Sequence, residues 1–90
     1  MPFQLPAKVL MANAPKLLAA GSAAVGAGER DFDLGAVVEC DSSLLACINE
    51  WRRQATAAGA GPGDLAVRNA PESIRRIARL YGVESLTLGQ

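Results

Sequence analysis

The sequence predicts an α/β fold: a mixed, mainly parallel β-sheet with crossover helices. Short apolar runs that suit strands alternate with longer stretches of helical apolar spacing. Each helical stretch opens on capping or first-turn residues: Asn13-Ala14-Pro15, Asp41-Ser42-Ser43 and Asn69-Ala70-Pro71-Glu72. The resulting order, strand then helix repeated along the chain, favours neighbouring strands that run in the same direction.

Phe3, Leu5, Ala7 and Val9 alternate with more polar positions, which predicts a half-buried strand over Phe3 to Leu10. Pro6 lacks an N–H, so this strand belongs at an edge or a bulge. Asn13 then reads as a helix cap with proline in the first turn, and Leu17, Leu18, Gly21, Ala24 and Val25 follow at helical spacing. Gly26 and Gly28 close that helix. Phe32 and Leu34 alternate with Asp31 and Asp33 as a buried strand; Gly35 marks a bend, and an extended approach leads to Asp41.

From Ser42 to Ala58 the apolar set Leu44, Leu45, Ile48, Trp51 and Ala55 predicts an amphipathic helix, with Asn49, Arg52, Arg53 and Gln54 mostly on its wet side. The glycine-rich stretch from Ala57 to Asp64 is a helix exit and loop. Leu65-Ala66-Val67 predicts a short strand. Asn69 reads as the cap of a third helix, with Glu72 reaching back, and Ile74, Ile77, Ala78 and Tyr81 form its buried face. Gly82 stops it, and Val83 to Leu88 fits either a last strand or a helical turn. A chain of 90 residues is expected to form one domain, residues 1–90. It is too short to cover both sheet faces thickly, so the helices are expected mostly on one side.

Composition narrows the function. The formal net charge is zero and the only aromatics are Phe3, Phe32, Trp51 and Tyr81. This excludes a protein whose affinity comes from neutralising many phosphates or from stacking bases. Cys40 and Cys47 lie in apolar stretches and read as small reduced core thiols; two thiols with no histidine and no Cys-x-x-Cys spacing argue against a metal site. No stretch approaches the roughly 18 apolar residues of a membrane span, and the N-terminus lacks a signal layout, so the chain reads as cytosolic.

The junction Asp41-Ser42-Ser43 is the chemically richest point. A carboxylate and two hydroxyls suit a helix cap, and they lie at the positive end of the helix dipole, where a phosphate on a hydroxyl is stabilised. With no histidine in the chain, neither serine has that base to activate it as a nucleophile, which disfavours an enzyme. Gly59-Ala60-Gly61-Pro62-Gly63 is not a phosphate loop: it follows a helix and lacks the Gly-Lys-Ser/Thr ending. Arg75, Arg76 and Arg79 make the third helix basic, enough to steer a partner, and Glu72 is spaced to pair with Arg76.

Three stretches carry a family resemblance: Val38-Glu39-Cys40-Asp41-Ser42-Ser43, then Glu50-Trp51-Arg52-Arg53, then Asn69-Ala70-Pro71-Glu72-Ser73 running into Ala78-Arg79-Leu80-Tyr81-Gly82-Val83. They resemble the STAS domain, the sulfate-transporter and anti-sigma-factor-antagonist superfamily, and within it the small MlaB-like proteins. The resemblance implies a STAS-like single domain without cofactor or metal. It implies a non-catalytic cytoplasmic subunit that binds the ATPase of an Mla-type phospholipid ABC transporter, at the membrane only through that complex. Partner contacts are expected at Asp41, Ser42, Ser43, Leu44, Asn69 and Pro71. The alternative it carries is an anti-sigma-factor antagonist with Ser42 as phosphoacceptor. Self-association through the Phe3–Leu10 edge is compatible with either role.

Overall fold

A computed structural model describes residues 2–59 and 65–82. The elements run β1 (Phe3–Gln4), β2 (Lys8–Val9), α1 (Ala14–Gly26), β3 (Asp31–Asp33), β4 (Glu39–Cys40), α2 (Ser42–Ala57), β5 (Ala66–Arg68) and α3 (Glu72–Leu80). This is the expected α/β alternation, and every described strand pair is parallel. The expected single sheet is split in two, with orders β1-β3-β5 and β2-β4. The interruptions have local causes. Pro6 carries no N–H between β1 and β2. Between β3 and β4, the Gly35 N–H turns back to Asp33 Oδ1 at 2.8 Å and the Val37 N–H to the Leu34 carbonyl at 3.0 Å.

The register explains why one sheet face is dry. Phe3, Phe32 and Val67 stand in one row across β1, β3 and β5, while Gln4, Asp33 and Arg68 stand in the next. Successive side chains on a strand point to opposite faces. The aromatic row therefore meets the helices, and the polar row stays wet, with Arg68 Nε donating to Asp31 Oδ1 at 2.7 Å. Trp51 from α2 lies on the aromatic row, its ring 4.8 Å from Phe32 and 6.0 Å from Phe3 between centroids. Its indole N–H donates to the Leu18 carbonyl at 3.2 Å. α2 packs against both α1 and α3, so the helices form one layer on the Phe32 face.

The β1–β2 edge is poorly suited to self-pairing. The Leu5 N–H donates inward to Asp33, so the alternation turns Pro6 outward, where a second strand would find no donor. The Asn13 side-chain amide takes the Lys8 carbonyl at 2.8 Å.

Several local expectations need correction. Asn13 stands at the start of α1 but makes no side-chain cap there; its Oδ1 accepts from the Leu10 N–H at 2.8 Å. Asn69 does not cap α3. Pro71 occupies that position without a side-chain bond, and Asn69 adopts a left-handed conformation with φ of 58°. Glu72 pairs with Arg79 at 2.7 Å in place of Arg76. Tyr81 is exposed, because α3 ends before it and its backbone turns away at Gly82. Arg52 is half-buried, and its guanidinium donates to the Leu65 carbonyl at 2.8 Å, a strap rather than a solvated charge. Leu44, expected at the partner surface, is wholly buried: the α2 turn that exposes Ser42 directs Leu44 into the core. Residues 60–64 and 83–90, and with them the glycine-rich loop and the Val83–Leu88 ending, lie outside the described residues.

Candidate docking site at the mouth of α2

Parallel strands deliver the starts of their following helices to one sheet edge, where open α/β sheets place their sites. β2 leads through Leu10–Ala12 to α1, β4 leads through Asp41 to α2, and β5 leads through Asn69–Pro71 to α3.

Asp41 is the cap of α2. It has extended backbone, and its Oδ1 accepts the Ser43 N–H at 2.9 Å and the Ser43 hydroxyl. Its Oδ2 accepts the Met11 N–H at 3.0 Å, from a residue thirty positions away. These donors, the Ser43 hydroxyl first and the Ser43 N–H next, hold the carboxyl below the usual carboxylate range. Asp41 thus stays ionised and fastens the β2–α1 connection to the α2 mouth. Ser43 is half-buried and committed to Asp41, whereas Ser42 is exposed at the first helical position.

The other proposed contacts lie beside this mouth. Ser73, in the first turn of α3, has its hydroxyl 3.4 Å from Cys40 Sγ, one residue before Asp41. Asn69 is exposed and Pro71 half-buried on the chain leading into α3. The Asn69 amide donates to Asp33 Oδ1 at 3.0 Å and, together with the Gly35 N–H, lowers the Asp33 pKa. Asn69 therefore ties the β5 exit to the β3 exit.

Between the first turns of α1 and α2 lies an open groove of about 290 Å³, lined by Met11, Ala14, Pro15, Leu18, Ser43, Ala46 and Cys47. Burial pushes the Cys47 thiol pKa up, so it behaves as an apolar wall. Met11 and Ala46 escaped the sequence reading. Met11 is joined to Asp41 only through the β2–β4 pairing, and an exposed alanine carries no periodic signal. Ser73 was quoted in a motif, but nothing in its spacing pointed to Cys40. Among the described residues no group of three His, Cys, Asp or Glu side chains is placed to hold a metal ion. No described helix is long and apolar enough to cross a membrane.

A three-helix layer on a parallel sheet, with a serine displayed at the second helix mouth, defines a STAS-like α/β domain. The family described as "Mlab, STAS domain" matches residues 4–88, and the chain belongs to it. No curated protein and no solved structure matches the chain. STAS domains mediate protein–protein interactions and are generally accessory or regulatory proteins without catalysis.

Proposed function

We propose that the chain is a non-catalytic accessory subunit that docks on the ATPase of an Mla-type phospholipid ABC transporter and stabilises or tunes it. In this reading it works at the cytoplasmic face of the inner membrane, held there by the complex, and serves outer-membrane lipid asymmetry. The observation that carries the reading is the division of labour between Asp41 and Ser42. Asp41 caps the helix, so the exposed Ser42 hydroxyl remains for a partner. The match to the MlaB-like STAS family supports a role in binding a partner protein. Asn69 and Pro71 extend the surface along the same sheet edge.

Co-expression with the ATPase subunit tests this. The wild-type chain is expected to co-purify and to change the rate of ATP hydrolysis. Ser42→Arg, a bulky charged change at an exposed position that leaves the core untouched, is expected to be lost from the complex.

The exposure of Ser42 also favours a second reading, an anti-sigma-factor antagonist. A phosphate there adds about 1.5 to 2 negative charges beside the Asp41 carboxylate and ejects an acidic partner surface by repulsion. Mass spectrometry after incubation with an anti-sigma kinase and ATP separates the two: phosphate on Ser42 supports this reading, and an unmodified chain that binds the ATPase supports the first.

A further inference from the structure

We propose that the groove between the first turns of α1 and α2 seats one large apolar side chain of the partner polypeptide, on a segment that also brings a lysine or arginine to Asp41. This rests on the docking reading above and specifies the chemistry of the surface that docks.

Size argues for an anchor. The groove encloses about 290 Å³, at the floor of the roughly 300–1,000 Å³ typical of small-molecule sites. Its walls are apolar: Met11, Ala14 and Leu18 on one side, Ala46 and Cys47 on the other. The small side chains of Ala14 and Ala46 leave the space open. Met11 is 75% exposed at the rim, and methionine adapts its shape to an incoming group. An exposed apolar side chain beside a concave apolar wall is the arrangement that marks interaction sites.

Charge completes the description of the occupant. Ser43 and Met11 line the groove and both bond to Asp41, so that carboxylate lies beside the groove. The ion pairs among the described residues join Arg53 to Glu50, Arg68 to Asp31 and Arg79 to Glu72; none reaches Asp41. A carboxylate has about four acceptor sites. The chain fills three, with the Ser43 N–H, the Ser43 hydroxyl and the Met11 N–H. With no cationic side chain paired to it among the described residues, the carboxylate selects a cationic donor from the partner. Because the Met11 N–H is bound to Asp41, the apolar rim and the carboxylate are held as one unit.

The test titrates the ATPase subunit with four chains: wild type, Ala46→Trp, Ala20→Trp and Ser42→Arg, each verified as folded by circular dichroism. A parallel experiment follows the ¹³C-methyl resonance of Met11 in the wild-type chain. Ala46→Trp fills the groove and is expected to weaken binding about tenfold or more, while Ala20→Trp, the same change at an exposed α1 position outside the groove, is expected to bind as wild type. The Met11 methyl is expected to shift on binding, and the wild-type affinity to fall with added salt. The groove proposal is overturned if Ala46→Trp binds as wild type and the Met11 methyl stays unmoved while Ser42→Arg loses binding. A Met11 shift produced by self-association alone assigns the groove to a second copy and also overturns it. If Ser42→Arg, which adds bulk and a charge that repels a cationic segment, binds as wild type, the docking reading itself fails and the proposal with it.

Discussion

The seam between α1 and α2 is shut at one end and open at the other. Where Gly21 meets Trp51 the helices are in such close contact that a Cβ on Gly21 would fall inside the indole ring's van der Waals envelope. A few turns away, toward the helix starts, Ala14 and Ala46 leave a groove. Both ends use small residues, with opposite results. At Gly21 the missing side chain admits Trp51, which is fully buried on the Phe3–Phe32 row. At Ala46 no side chain among the described residues enters. Small residues in a helix seam therefore mark either close packing or an unfilled seat, and the facing side chain decides which.

The closed end should dominate stability. Trp51→Ala is expected to cost about 3–5 kcal/mol, the usual range for deleting a large buried ring, and Gly21→Ala about 1–3 kcal/mol through overpacking. Both are measured by urea unfolding. A change at the open end, such as Ala46→Ser, should stay within about 0.5 kcal/mol. Equal effects at the two ends would erase the contrast.

Asp41 joins the open end to the fold. Asp41→Ala is expected to lower the urea unfolding midpoint as a lost cap, and to raise amide exchange at Met11 as well as at Ser43. Protection unchanged at Met11 would mean the β2–α1 connection is held by something else.

The smallest effect is pH dependence. Asp41 and Asp33 both have folded-state pKa values depressed by hydrogen bonds. Such groups stabilise the fold above the ordinary carboxylate pKa of about 4, and that contribution is lost as pH falls through the folded values. Thermal melts should therefore decline from pH 5 to pH 3, with a shallower slope in Asp41→Asn. An identical slope in that variant would remove Asp41 from the acid response.

The helix mouths show how far residues alone could lead. Asp41-Ser42-Ser43 and Asn69-Ala70-Pro71-Glu72 carry the same kind of capping letters. At the first, the cap is local, two residues from acceptor to donor, and the sequence reading matches the structure. At the second, Asn69 is drawn to Asp33, thirty-six positions away on the neighbouring strand, so a long-range bond overrides the local preference. The alternation of elements and the Leu44–Ala55 stripe were legible because periodicity records burial directly. Leu44 itself was misplaced as a surface contact, although its own stripe marked it as core. The groove was hidden because it arises where two helices meet, and neither helix encodes it separately.

The most direct measurement is the affinity of the transporter ATPase for the wild-type chain against Ser42→Arg, by isothermal titration at fixed ionic strength. The account predicts a loss of about tenfold or more, equivalent to roughly 1.4 kcal/mol, with the unfolding midpoint unchanged. Equal affinities for two equally stable chains would contradict it.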